Sequence, residues 1–91
     1  MNIEGKSKGM YFDEKGITCF AKQLKKIRKA KKVSQEQLAF KAGITLSQVA
    51  RIETARINPT LSTVFRISRA LDVHLRELFD FDIPTENSVK G

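Results

Sequence analysis

The sequence predicts an all-α protein with five helices, and three observations support this class. Apolar residues from Ile17 onward recur at intervals of three, four and seven, the spacing of an amphipathic helix. Polar residues that can cap a helix precede three of these patterns, namely Ser34, Thr45 and Thr60. No segment alternates polar and apolar residues as a half-buried strand does. The 91 residues are enough for one small domain with its own core, so we expect a compact five-helix bundle.

The two ends of the chain differ from its centre in composition. Residues 1–16 hold three of the five glycines and little periodicity, which predicts a flexible N-terminal arm. Residues 81–91 contain proline and several polar residues and are typical of a C-terminal tail. The folded domain is therefore predicted to span residues 17–80.

The first predicted helix lies in the most basic part of the chain. Phe20, Leu24 and Ile27 occupy one stripe of this helix, which should end near residue 31. Lys22–Lys32 contains seven bases and no acid, and residues 15–69 as a whole carry thirteen bases and two acids, a net charge of +11. A charge run alone is usually a solvated helix face. Because the whole middle is poor in acids, a phosphate-facing surface is an equally good interpretation.

The next two helices are joined by a very short turn. Ser34 and Gln37 form the capping-box pattern of the second helix, and Thr45 and Gln48 repeat it at the third. Gly43 between them is expected to end the second helix in the left-handed conformation. Two helices joined in this way form a helix-turn-helix motif, in which the second helix is the one that enters the DNA major groove. Their inward-facing residues are Leu38, Ala39, Ala42, Val49 and Ile52.

The last two predicted helices complete the bundle. Asn58-Pro59 marks a turn, and Thr60 caps a fourth helix. Its apolar positions are Leu61, Val64, Ile67 and Leu71, and a short fifth helix carries Leu75, Leu78 and Phe79.

Several function classes lack support in the sequence. One cysteine, Cys19, and one histidine, His74, cannot form an internal disulfide or any usual zinc site. We find no catalytic constellation, so we expect no enzyme, no metal and no cofactor. No apolar run approaches the roughly 18 residues of a membrane span, and the N-terminus lacks a secretory pattern. A cytoplasmic, nucleoid-associated protein is therefore expected.

The segments LKKIRKAKKVSQEQLAFKAGI, LSQVARIE, INPTLSTV and ALDVHLRELF resemble the Cro and phage-repressor family of helix-turn-helix regulators, also called the XRE family. The resemblance covers about residues 20–79, with the order and separation of the family's five helices. It implies a lambda-repressor-like fold and a regulator of transcription that binds a palindromic double-stranded DNA operator as a homodimer.

The resemblance also assigns roles on the third helix and around it. The outward residues Leu46, Ser47, Gln48 and Arg51 are the candidates for reading bases, with Gln48 equally suited to capping. Arg51 is the leading candidate, because a guanidinium can bond guanine at two positions. Contacts to phosphates, or bracing of a base-reading side chain, are expected from Gln35, Thr45, Arg56 and Asn58.

One ion pair is expected to hold the third helix in place. Many relatives pair the residues at the positions of Arg28 and Glu53, which would join the first helix to the end of the third. Ala55 and Asp72 depart from the family pattern, because glycine is common at both positions. At Ala55 this leaves open whether the helix ends in the usual left-handed turn.

The C-terminal part supplies a candidate interface and an alternative function. Leu75, Leu78, Phe79, Phe81 and Ile83 are more apolar than docking of a short helix requires, which predicts a dimer surface. The same residues could instead contact a toxin, which would make the chain an antitoxin-type interaction module that regulates its own operon. Non-specific binding to nucleic acid is a third interpretation, although the sequence offers no aromatic stacking platform for single strands.

Overall fold

Most helices of this protein begin directly after a short polar side chain that caps them. The computed structural model describes residues 12–84 and contains five α-helices in that range: α1 (Glu14–Ala30), α2 (Gln35–Ala42), α3 (Leu46–Glu53), α4 (Leu61–Leu71) and α5 (Leu75–Leu78). Ser34, Thr45 and Thr60 cap α2, α3 and α4, each accepting a hydrogen bond from a backbone N–H three residues later at 3.0–3.1 Å. The predicted all-α class and these three caps are confirmed.

The first helix begins earlier than the sequence pattern predicted. The Asp13 carboxylate accepts a 2.9 Å hydrogen bond from the N–H of Gly16, and α1 therefore starts at Glu14 rather than at Ile17. Capping by Asp13 thus extends α1 into residues that the composition assigned to the N-terminal arm. Residues 1–11 of that arm and residues 85–91 of the predicted tail lie outside the described part of the chain. At the other end, Phe81, the first residue of the predicted tail, packs against the core.

Four helices end in the same way, with one residue in the left-handed conformation. These residues are Lys32, Gly43, Ala55 and Asp72, with φ between 56° and 71°. In each case the next residue donates its N–H to the carbonyl five positions earlier at 2.8–3.1 Å, which is the Schellman pattern. The left-handed end predicted at Gly43 is confirmed, and α3 reaches the same geometry with an alanine.

The core lies where α2 contacts both α3 and α4, while α1 packs against α3 and α5. Ala39 and Ala42 are small enough to allow the close approach of α2 to its neighbours, and both are buried. Burial of Val49 and Ile52 fixes the inner face of α3. The remaining core residues are Phe20, Ala21, Leu24, Leu38, Val64, Ile67, Leu71 and Leu78.

The left-handed alanine at the end of α3 gives a first prediction. A left-handed conformation costs an L-residue about 1–2 kcal/mol relative to glycine, part of which glycine loses again through the entropy of the unfolded chain. We therefore expect Ala55→Gly to raise the free energy of unfolding by about 1 kcal/mol, measured by urea denaturation. Ala30→Gly is the matched control, because Ala30 is right-handed and exposed in α1, and it should lower stability by about 0.5–1 kcal/mol. A decrease for Ala55→Gly would contradict the proposed strain.

Candidate nucleic-acid interface

A buried ion pair ties α1 to the end of α3. The Arg28 guanidinium donates from Nε to Glu53 Oε2 at 2.6 Å and from a terminal nitrogen to Oε1 at 2.9 Å. The other terminal nitrogen of Arg28 donates to the carbonyl of Val33 at 2.8 Å, and Gln35 Nε2 donates to Glu53 Oε1 at 2.9 Å. The two charged side chains are 9% and 1% exposed. The predicted pair is therefore present, and it forms a hydrogen-bond network with the start of α2.

The opposite charges of Arg28 and Glu53 compensate each other within this network. The hydrogen bond with Glu53 raises the pKa of Arg28 above its ordinary value, despite the opposing effect of burial. Among the described residues, no buried side-chain nitrogen or oxygen lacks a hydrogen-bond partner. Since a buried charge is costly unless it is paired and hydrogen-bonded, the four groups depend on one another.

Gln35 is held by this network. Its amide nitrogen donates to Glu53, so the side chain braces the ion pair, and its contacts to a phosphate or to a base-reading side chain stay predictions. Sequence reasoning placed Gln35 correctly at the start of α2 and could not find this partner, which lies 18 residues away.

The outer face of α3 is exposed and its inner face is fixed. Val49 and Ile52 are buried, whereas Leu46, Ser47 and Arg51 are exposed, as the helical spacing predicted. The outer face of the eight-residue α3 thus presents two polar side chains, Ser47 and Arg51, and one apolar side chain, Leu46. The core holds this face in place.

Gln48 is engaged in capping. Its Oε1 accepts the backbone N–H of Thr45 at 3.0 Å, while the Thr45 hydroxyl accepts the N–H of Gln48 at the same distance. This capping box uses the amide oxygen of the half-buried Gln48. The amide nitrogen takes no part in the box and is the group of this side chain that could reach a base edge.

The loop between α3 and α4 carries the other candidate residues. Arg56 and Asn58 are both exposed, and they lie between the end of α3 and the Thr60 cap of α4. Together with the N-termini of α2 and α3, the loop offers backbone N–H groups and a cation, which are the groups that bind phosphates.

The basic run of α1 separates into two roles. Arg28 is buried in the ion pair, whereas the other six bases of Lys22–Lys32 are exposed. Lys22, Lys25, Lys26 and Lys29 follow helical spacing on the side of α1 opposite to Leu24. They can contribute to a positive field, while Arg28 contributes to positioning.

The predicted dimer surface needs one correction. Leu78 is completely buried in the core, because the short α5 inserts it against α1 and α4, so it is not available to a partner. Leu75, Phe79 and Ile83 are 39–46% exposed and Phe81 is half-buried. Phe79 packs on the ring of Phe20 at a centroid distance of 5.3 Å.

The structure adds Leu61 to this surface. Leu61 belongs to the same apolar pattern as Val64 and Ile67, but as the first residue of α4 it is 68% exposed. It lines an apolar groove of about 350 Å³ together with Phe79 and Ile83. The other apolar side chains of the groove are Ile17, Phe20, Pro59, Val64 and Phe81.

Comparison with known proteins identifies the family. The profile of the helix-turn-helix family matches residues 24–78, more than half of the chain. The chain belongs to the helix-turn-helix family. The expected Cro and phage-repressor type is thereby confirmed, and the family is one of DNA-binding transcriptional regulators, which are not enzymes.

Several relatives share this region. The control protein C.BamHI of Bacillus amyloliquefaciens is 35% identical over 63 residues, which are 68% of this chain and 78% of that protein. The immunity repressor protein of Bacillus phage phi105 is 43% identical over 53 residues, 58% of this chain and 37% of that repressor. The crystal structure of the restriction-modification controller protein C.AhdI from Aeromonas hydrophila matches with a TM-score of 0.68 and 38% identity, covering 69% of this chain and 96% of that one. The chain thus spans less than half of the phi105 repressor, and it spans 27% and 48% of the length of two further helix-turn-helix transcriptional regulators.

The described residues contain neither a cluster of metal-binding side chains nor a membrane-spanning helix. Within residues 12–84 no group of three or more His, Cys, Asp or Glu side chains is arranged to hold a metal ion. Over the same range no helix has the length and apolar character needed to cross a bilayer.

The ion pair gives a second prediction. Glu53→Gln removes the negative charge but keeps the shape, which leaves the Arg28 cation buried without its counter-charge. We expect a loss of about 3 kcal/mol or more in the free energy of unfolding, measured by urea denaturation. The double variant Arg28→Met/Glu53→Leu should be less destabilised than Glu53→Gln, because apolar residues replace both charges.

Glu36→Gln is the matched control, since Glu36 is exposed on α2. Its effect should stay within about 0.5 kcal/mol. Equal stability of the Glu53→Gln and Glu36→Gln variants would refute the importance of the buried pair.

Proposed function

We propose that this chain regulates transcription by binding a specific double-stranded DNA operator with α3 in the major groove. The observation that carries the proposal is the geometry of α3: Val49 and Ile52 anchor its inner face, the Arg28–Glu53 pair fixes its C-terminal end, and its outer face stays exposed. A helix fixed in this way can hold side chains at base edges without paying the entropy of ordering itself on binding.

Each outward side chain has a distinct proposed role. Arg51 reads a guanine through bonds to O6 and N7, and Leu46 packs on a thymine methyl group. Ser47 bonds a base edge or a nearby phosphate. Gln48 contributes through its amide nitrogen, since its oxygen caps the helix.

Phosphate contacts set the register of the protein on the duplex. Arg56, Asn58 and Thr45 stand in or beside the turns that lead into α3 and α4, where the backbone N–H groups of the helix N-termini also favour anions. Gln35 acts mainly through Glu53 in this proposal. The exposed lysines of α1 add sequence-independent attraction that salt weakens.

The proposed active form is a homodimer on a palindromic site. The apolar groove supports this, because Leu61, Phe79 and Ile83 line it and expose apolar surface, and Phe81 lines it with them. Half-site centres are then expected about 34 Å apart, one turn of DNA. Binding to DNA would place this protein with the nucleoid in the cytoplasm.

Selection from a randomised pool of duplexes tests the proposed recognition. We expect the wild-type protein to enrich a two-fold symmetric sequence. Arg51→Ala should weaken binding to that sequence by about 10- to 100-fold and relax the preference at one position in each half-site.

Lys25→Ala is the matched control, because Lys25 is an exposed cation on α1. It should weaken binding to all sequences about equally and lower the salt dependence by no more than one released ion. Enrichment of no sequence, or an unchanged preference in Arg51→Ala, would overturn the role of α3.

Light scattering tests the dimer separately from DNA binding. Replacing Leu61 or Ile83 by glutamate introduces a charge into the apolar groove, so we expect dissociation to monomers at concentrations where the wild type is dimeric. Leu46→Glu places the same charge on a comparably exposed leucine of α3 and should leave the oligomeric state unchanged. A wild-type protein that remains monomeric at high concentration would exclude the dimer. That result would favour the antitoxin alternative, in which the same surface binds a different protein.

A further inference from the structure

The most exposed large apolar side chain among residues 12–84 lies outside both surfaces described above. Phe40 of α2 is 88% exposed, roughly twice as exposed as Phe65 or Phe79. It occupies the side of α2 opposite to the buried Leu38 and Ala42. A single exposed apolar residue is common on protein surfaces, so the surroundings of Phe40 decide whether it has a role.

Phe40 borders a cleft of about 500 Å³ between the C-terminal halves of α2 and α4. Three cations line this cleft: Lys41, Arg66 and Arg69. All three are exposed, and none forms an ion pair with a carboxylate in the described chain. Arg66 instead donates a long hydrogen bond of 3.4 Å to the carbonyl of Gly43 on the opposite wall. No acidic residue lines the cleft, so its positive charge is uncompensated.

The combination of an aromatic side chain and three cations indicates the chemistry of a partner. A DNA duplex would satisfy the cations, but its bases are stacked inside it, and its backbone offers Phe40 only small sugar rings between charged phosphates. A peptide with carboxylates on both sides of an apolar residue would satisfy both features. The cleft is also formed by the second half of α4 and not by its N-terminus, where the proposed phosphate contacts lie.

We propose that this cleft is a docking site for an acidic segment of another protein, with an aliphatic or aromatic side chain packed against Phe40 and carboxylates bound by Lys41, Arg66 and Arg69. The site would let the domain hold a second protein while α3 remains available for DNA. The proposal does not depend on the dimer, because the cleft shares no residue with the apolar groove.

Selection from random peptides displayed on phage tests the proposal with the 91-residue chain as bait. We expect enriched sequences with Asp or Glu on both sides of a Leu, Ile, Phe or Trp. Phe40→Ala as bait should lose this enrichment, and because Phe40 is exposed the variant should unfold at the same urea concentration as the wild type. Enrichment without acidic residues, or the same enrichment on Phe40→Ala, would overturn the proposal.

Fluorescence anisotropy with a synthetic peptide, two leucines flanked by glutamates, measures the two components separately. We expect Phe40→Ala and Arg69→Glu each to weaken binding about tenfold or more. Lys25→Glu makes the same change of charge on α1, away from the cleft, and should weaken binding by less than about threefold. A peptide with glutamates but no leucine should bind at least about tenfold more weakly than the leucine peptide.

Competition with duplex DNA tests whether the cleft binds DNA phosphates instead of an acidic peptide. Full displacement of the peptide by duplex, together with weaker DNA binding of Arg69→Glu than of Lys25→Glu, would identify the cleft as a phosphate surface and overturn the proposal. A peptide that stays bound while the duplex is also bound would support a separate docking site.

Discussion

The buried contact between Arg28 and Glu53 is the interaction on which the geometry of this domain depends. It joins the last turn of α1 to the last residue of α3, and the same two side chains hold the Val33 carbonyl and the Gln35 amide at the start of α2. A single bidentate pair thus fixes three helices relative to one another. The charges are almost fully removed from water, so the arrangement tolerates little displacement of any one helix. That intolerance is useful in a domain whose proposed function requires one helix at a fixed angle.

The second constraint is the shortness of the connections. Each of four helices ends with one residue in the left-handed conformation. The residue after it donates its backbone N–H to the carbonyl five positions earlier. The left-handed residue reverses the chain at once, so the apolar residue that follows can return to the core, as Val33, Ile44 and Val73 do. Three of the four turns use a residue other than glycine. The protein therefore retains local strain that glycine would relieve, and packing of the surrounding helices outweighs its cost.

The distribution of charge and apolar surface separates the outside of the domain into distinct regions. The outer face of α3 and the loop around Arg56 combine cations with hydrogen-bonding groups. The groove beside Leu61 and Ile83 is mainly apolar, while the cleft beside Phe40 is basic with one aromatic side chain. These chemistries suit different partners, and a small domain with several such surfaces can combine DNA binding with protein contacts.

The sequence by itself determined the features that depend on neighbouring residues. Caps at Ser34, Thr45 and Thr60, the turn at Gly43 and the two faces of α3 follow from local hydrogen bonding and helical spacing. The Arg28–Glu53 pair could be predicted only through resemblance to a family, because spacing does not bring positions 25 residues apart together. Tertiary structure alone decided which apolar residues remain outside. Leu61 and Leu78 both satisfy a helical stripe, yet Leu61 is exposed beyond its neighbours and Leu78 is enclosed by α1 and α4. The tertiary structure also brings Gln35 to Glu53 and places Lys41, Arg66 and Arg69 around Phe40. The sequence could not show these contacts, because exposure and pairing depend on which helix packs against each position.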